Sequence, residues 1–368
     1  MKKILIMGFT KIKYMPYMNF YLESIDKDRN DIHILYWNRD LQDEDLSEYK
    51  SFTIHEFRCY QEDDVSKISK ISSFLKYRKF VYKVIQKNKF DLIFVLHSLP
   101  GVLLSDVLTR QYQDKFIFDY RDSTYESISI FKKIVGDLVK KSKVTFVSSD
   151  GFRKFLPLEC ESKIFTSHNL LKESLEHRTD KEINGISSDK IRIAFWGFIR
   201  HEEINRVIIE KISLDKRFEL HYYGREQQVA LNLKKYVNDI NATNVYFHGE
   251  YQPEDRYKFI LTTDIIHNIY YDDNTMLAMG NKFYDGVIFR IPQLCMKDSF
   301  MGKIVSENNI GLECNPYITD FTDQIYSYWM NLRKETFYNN VENIYRKIVK
   351  EYDEGTQYIR SITGVEEG

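Results

Sequence analysis

Short apolar runs rich in Ile, Val and Phe recur along this chain with room for one helix between successive runs. In the first half they fall at 3–7, 32–37, 92–96, 116–119, 144–148 and 164–167. Several do not alternate apolar with polar, so both faces must be covered, as in a parallel sheet sandwiched between helices. Amphipathic stretches occupy the gaps at 15–26, 66–89, 101–112 and 127–141. A polar segment, KESLEHRTDKEINGISSDK (172–190), interrupts the pattern, and its Asn184-Gly185 pair is a turn signal. The alternation restarts with IRIAFWG and continues through FELHYYG, NVYFHG, DIIHNIY, IPQLCM and IGLEC. Two helical stretches follow, near 318–332 and 334–352. The pattern predicts an α/β chain of two Rossmann-like, doubly wound domains facing a central cleft.

Length agrees with that division. A chain of 368 residues exceeds one ordinary core, and two domains of roughly 170 residues each are the natural arrangement. The composition, 43% hydrophobic and 29% charged, is that of a globular protein. A net charge of −1 speaks against a nucleic-acid partner. Cys59, Cys160, Cys295 and Cys314 form no CxxC pair, which points to a reducing compartment and away from structural zinc. The opening MKKILIMGFTKIKY loses its apolar run at Lys11, short of a signal-peptide core, and no stretch of 18 apolar residues exists. The expectation is a cytoplasmic protein without a membrane span.

In open α/β sheets, ligands bind at the carboxyl ends of the strands. Gly8 follows the first strand, but neither a GxGxxG fingerprint nor a P-loop accompanies it, which disfavours NAD and P-loop nucleotide binding. His97 ends the apolar strand of FDLIFVLHSLPG and stands on the ligand side, although a satisfied loop histidine reads the same way. Arg200, in AFWGFIRHEE, lies just before a helix starting near Glu202, where a guanidinium suits a phosphate. Three strands of the second half end in Gly197, Gly224 and Gly249, which permits sharp turns or close approach to a ligand.

The stretch MLAMGNKFYDGVIFRIPQLCM (276–296) carries the strongest signal. Apolar residues at 284, 287, 288 and 291 predict a helix starting near Asn281, after Gly280 and ending before Pro292. Its free N–H groups would form an anion site to which Lys282 adds a charge. Asp285, one turn in, lies too deep to cap. It is suited as a partly solvated acid to accept two ribose hydroxyls, the alternative being a surface acid without a ligand.

These segments, in this order, resemble a GT-B glycosyltransferase of the retaining, glycogen-synthase-like sugar-nucleotide group that builds bacterial surface polysaccharides. NKFYDGVIFRIPQL is similar to that group's NK-aromatic-Tyr-acid…Pro segment, and FDLIFVLHSLPG to its strand ending in a His beside the donor sugar. FIFDYRDSTYE resembles its D-x-R-D strand, followed by VTFVSSDGFRKFL. IRIAFWGFIR and NVYFHGEYQPEDRYKFILTTDI resemble two strands of its donor domain. The resemblance implies an acceptor-side domain over 1–175, a linker over 176–190 and a donor-binding domain over 191–345. It further implies a C-terminal helix and tail over 346–368 packing back on the first domain.

The implied activity is sugar transfer from a nucleotide diphosphate sugar to a lipid-linked glycan in capsule, O-antigen or exopolysaccharide synthesis. Gly8, Arg200, Gly280, Asn281, Lys282 and Asp285 would bind the donor, while His97 and Asp122 would serve sugar and acceptor. No cofactor and no metal would be needed, since Arg, Lys and helix N-termini neutralise the phosphates. Two positions depart from the group's pattern. Leu277 stands where many relatives have a donor-contacting Glu, and Ile204 and Asn205 stand where they often have a Lys. A sugar-nucleotide epimerase on the same fold, or a catalytically silent GT-B partner subunit, is the alternative.

The segment 65–90 holds eight Lys and Arg and no acid, interleaved with Ile, Phe, Leu, Val and Tyr. Such a helix is either a solvated face or a basic amphipathic surface for anionic lipid. The second reading places Lys76, Arg78, Lys79 and Lys83 toward the inner face of the cell membrane.

Overall fold

The computed structural model describes residues 1–61, 70–170, 172–178, 190–252 and 255–364. The chain divides into two compact units, Met1–His168 with Lys350–Gly368, and Asn169–Val349.

The first unit carries seven strands, β1 (Lys2–Met7), β2 (Asn30–Asn38), β3 (Thr53–Arg58), β4 (Leu92–Leu96), β5 (Phe116–Tyr120), β6 (Val144–Val147) and β7 (Ile164–Thr166). They form one parallel sheet in the order β3-β2-β1-β4-β5-β6-β7. Every residue of β4, β5 and β6 is buried, which accounts for their unbroken apolar runs. The edge strand β3, TIHEFR, buries only Phe57, so it lacked the apolar run by which the other strands were predicted.

The second unit carries β8 (Ile191–Trp196), β9 (Phe218–Tyr223), β10 (Val245–Phe247), β11 (Ile265–Asn268), β12 (Gln293–Met296) and β13 (Gly311–Cys314). Their order is β10-β9-β8-β11-β12-β13, again parallel. Each sheet therefore reverses its winding beside its first strand, between β1 and β4 and between β8 and β11. Those reversal points leave a crevice at the carboxyl ends of the strands, where ligands of doubly wound folds bind.

Helix boundaries differ from expectation in three places. The stretch 15–26 yields only the helix Met18–Leu22, and 101–112 is split into Ser98–Leu103 and Ser105–Gln111 at Leu104. The final helix runs Lys334–Thr363, well past 352. Gly355 lies within it, where a Cβ would stand 3.0 Å from Phe20 and 3.1 Å from Phe146. The glycine brings the helix onto the core of the first unit, where Ile359 is fully buried.

The basic segment forms the helix Lys70–Asn88, while 65–69 lies outside the described residues. Lys76, Lys79 and Lys83 are exposed alongside the exposed apolar side chains of Ile71, Leu75 and Tyr82. Arg78 departs from the expected lipid-facing set. Its guanidinium forks onto Asp106 at 2.7 and 2.8 Å and donates to the Leu103 carbonyl, so its charge is spent on a neighbouring helix. No helix among the described residues is long and apolar enough to cross a membrane.

Candidate functional site

In the second unit β8 ends at Trp196, and Gly197 follows with φ of +106°, a conformation L side chains rarely adopt. Gly224, after β9, has no room for a Cβ because the Gly197 carbonyl oxygen occupies that space. The glycines at these strand ends thus bring backbone against backbone, and Gly197 N–H donates to the Tyr223 carbonyl at 2.9 Å. The turn delivers Arg200, which is exposed, and His201 at the start of the helix Glu202–Ser213.

Asn205, where the resembling group often has Lys, fastens this loop. Its Nδ2 donates to the carbonyls of Arg200 (2.9 Å) and His201 (3.0 Å). Its Oδ1 accepts from the Tyr222 hydroxyl at 2.8 Å and from His267 Nε2 at 3.1 Å. His267 Nδ1 accepts from the Ile269 N–H, so the ring is neutral with its proton on Nε2. Burial and the charge of Lys282 hold the His267 pKa at about 3.

The helix Asn281–Ile288 begins as the sequence predicts, with Gly280 as N-cap and no side chain capping it. Asn281 is exposed, and its Oδ1 accepts from Asn169 at 3.2 Å. Lys282 does not reach into solvent as a free charge. It is 9% exposed, with Nζ 4.1 Å from the centroid of Phe195 and 5.0 Å from that of Tyr270. Burial drives its pKa down to about 7, with Asp285 pulling the other way and Arg200 adding to the fall.

Asp285 corrects an expectation. The partly solvated acid is 4% exposed. Its Oδ2 accepts from Trp196 Nε1 at 2.8 Å, and Oδ1 lies 3.6 Å from the Arg256 guanidinium. Burial pushes its pKa up, opposed by Arg256, Trp196 and Lys282. Arg256 also donates to Ser174 Oγ at 2.6 Å. Trp196 and Arg256 were missed as site residues because one stands in an apolar strand and the other at the start of the helix Arg256–Ile260, in a polar stretch without a motif. Their common partner is distant in sequence from both.

The first unit has its own reversal point, with Gly8 after β1 and His97 after β4. Gly8 is not available to a ligand, contrary to expectation. Its N–H donates to the Leu35 carbonyl at 2.8 Å and its carbonyl accepts from the Tyr77 hydroxyl at 2.7 Å. Met15 fills the space where a side chain would stand. His97 has φ of +87° and caps the helix Ser98–Leu103, its Nδ1 accepting from the Leu99 N–H at 3.3 Å. Its neutral form therefore carries the proton on Nε2, 3.8 Å from the half-exposed Asp122 carboxylate. Burial lowers the His97 pKa against the pull of Asp122 and Asp119. In the D-x-R-D segment, Asp119 and Arg121 form a buried pair at 2.8 Å, with the guanidinium 3.8 Å above Tyr17 and donating to Ser167 Oγ at 3.1 Å. Asp122 is the exposed acid of the motif.

The sequence matches no protein-family profile and no curated protein. By structure the chain is similar to Anabaena Alr3699/HepE, solved in complex with UDP. The TM-score is 0.70 at 13% identity, over 98% of this chain and 100% of that one. It is similar to the sucrose-phosphate synthase of Thermosynechococcus elongatus, with TM-score 0.68 and 11% identity over all of both chains. A lipopolysaccharide outer core galactosyltransferase, WaaB in its apo form, gives TM-score 0.65 at 9% identity, over 97% of this chain and 99% of that one. Two parallel α/β units, of seven and six strands, together with these likenesses give the chain the GT-B fold.

Proposed function

We propose that the chain is a glycosyltransferase that takes its sugar from a nucleoside diphosphate sugar, with uridine as the first nucleoside to test. The observation that carries this reading is the second unit's reversal point. There an uncapped helix N-terminus at Gly280 and Asn281 stands with Arg200 and Lys282, and a carboxylate lies one turn in. Helix N-terminus and cations suit a diphosphate, whose charge grows as the glycosidic bond breaks. With Oδ2 given to Trp196, the oxygen left for a ribose hydroxyl is Asp285 Oδ1. UDP is the nucleotide bound in the HepE neighbour.

The same reading gives His97 Nε2–H and Asp122, at the first unit's reversal point, to the sugar and acceptor. It leaves phosphate neutralisation to fixed protein charges without a metal. It places the reaction on a lipid-linked glycan at the cytoplasmic face of a bacterial membrane, in surface polysaccharide synthesis. Exposed Lys76, Lys79 and Lys83 beside Ile71, Leu75 and Tyr82 support contact with anionic lipid.

Thermal unfolding with UDP, GDP, ADP, CDP and dTDP, without divalent metal, tests the donor site. At a hundredfold excess over Kd the cognate nucleotide stabilises by about 2.7 kcal/mol. No shift with any of the five refutes the reading, and a strict requirement for Mg²⁺ or Mn²⁺ refutes its metal-free part. Incubation with the UDP-sugar alone separates the epimerase, which converts the donor without an acceptor.

A further inference from the structure

Lys282 poses a problem that its assignment to phosphate binding does not solve. The side chain is nine-tenths buried, and its contacts are the faces of Phe195 and Tyr270. Among the described residues no carboxylate lies within ion-pair distance of Nζ. Four elements bring charged or titratable groups toward it. Arg200 and His201 come from the loop after β8, His267 from β11, Tyr270 from the loop after β11, and Asp285 from its own helix. Asp285 is the one acid of this set, and it is engaged by Trp196 and Arg256. The helix N-terminus adds positive potential at the same place.

Burial, the Arg200 guanidinium and the helix dipole all oppose a charge on Nζ, while two ring faces and a shared carboxylate favour it. The opposing effects win in the free protein, in accord with a pKa near 7. A diphosphate set against the helix N-terminus and Arg200 reverses the balance, because it brings negative charge to a buried amine that has no carboxylate at ion-pair distance among the described residues.

We propose that nucleoside diphosphate binding is coupled to the capture of one proton by Lys282 Nζ, so that donor-site affinity falls as the solution turns alkaline. The proton comes from the buffer to the nitrogen lone pair, and no other bond is made or broken. The inference rests on the donor-site reading above and adds to it a charge that, above pH 7, the site holds mainly when loaded.

Calorimetry of UDP binding to the full chain between pH 7.5 and 8.5 tests it, in buffers of different ionisation enthalpy. Above pH 7 the terminal phosphate, with its pKa of about 6, is already ionised. Burial lowers His201 and His267 from their usual range, so neither contributes in this window. Uptake should approach one proton at pH 8.5, and Kd should rise about eightfold across the window for an amine titrating near pH 7. Lys282→Arg should bind UDP with no proton uptake and little dependence on pH. Lys282→Met, should the Arg variant fail to fold, should bind more weakly and also without uptake. The ¹³Cε resonance of Lys282 in the parent should titrate near pH 7 without UDP and well above it with UDP.

UDP binding with no proton uptake overturns the proposal and leaves the donor site standing. Uptake unchanged in Lys282→Arg or Lys282→Met places the proton elsewhere and overturns it as well. Failure of the parent to bind UDP at any pH removes both the donor site and this inference.

Discussion

Removing the Asp285 carboxylate should injure the fold before any ligand is considered. Its Oδ2 accepts from Trp196 Nε1 at 2.8 Å, and the Arg256 guanidinium stands 3.6 Å from Oδ1. A hydrogen bond to a charged group contributes about 1.5–3 kcal/mol. Deleting one partner of a buried ion pair costs about 3–5 kcal/mol, because the other charge is left uncompensated. Burial works the other way. It raises the Asp285 pKa, so part of the loss returns when the desolvated charge is removed. Asp285→Ala should therefore lose about 2–4 kcal/mol of stability at pH 7. Asp285→Asn, which keeps an acceptor for Trp196, should lose less.

The pairwise part is isolated by a cycle with Trp196→Phe, followed by urea unfolding without nucleotide. The two sites should couple by about 1.5–3 kcal/mol. Coupling within error of zero would mean that the indole and carboxylate do not meet in solution. An Asp285→Ala protein as stable as the parent would return the residue to a solvated surface acid. The sign with pH is a second check. A carboxyl with a raised folded pKa contributes stability below its unfolded pKa of about 3.9, lost as pH rises through the folded value. The advantage of the parent over Asp285→Asn should therefore shrink as pH rises.

Three further outcomes are expected. His267, held at about 3 against an unfolded value of 6.5, makes the protein less stable as pH falls from 6.5 toward 3, by at most about 1.4 kcal/mol per pH unit. His267→Gln should flatten that slope in urea midpoints measured at pH 6.5, 5.5 and 4.5, and an unchanged slope refutes the assignment. Replacing Lys76, Lys79 and Lys83 with Gln should weaken sedimentation with anionic vesicles by about a hundredfold, at about 1 kcal/mol per basic residue. Arg78→Gln should leave vesicle binding nearly unchanged because its charge already faces Asp106. Gly355→Ala should destabilise the first unit by about 1 kcal/mol, although alanine is the better helix former, since its methyl group would crowd Phe20 and Phe146. A rise in stability would show that those rings yield freely.

The sheets were legible because strands covered on both faces must be apolar throughout, and β4, β5 and β6 are buried at every position. The edge strand β3 was not, since a half-solvated strand has no such signature. At the site, the helix start at Asn281 and the loop cation Arg200 could be read from Gly, Pro and helical spacing. The direction of the side chains could not. Lys282 turns onto the rings of Phe195 and Tyr270 and Asp285 onto the Trp196 indole, and Phe195 and Trp196 lie nearly 90 residues away in sequence. Gly8 misled for a related reason. Its position after β1 suits a ligand, but it is occupied by Met15, Leu35 and Tyr77, none of which a local motif reveals.

The first unit is discontinuous in the chain, and this sets a timetable for its birth. Its sheet is complete at β7, yet Ile359 belongs to its core, and Lys2 and Asn30 bond to the carbonyls of Ile362 and Thr363. Between Thr166 and those residues the ribosome must make the whole second unit. At about 5–20 residues per second that takes on the order of 10–40 s. Throughout it Phe20 and Phe146 wait without the helix that covers them, a nascent half-protein with an open seam that a chaperone has time to find. The stretch from Lys350 to Gly364 is in effect the fastener of the first domain, delivered only after the second has been made.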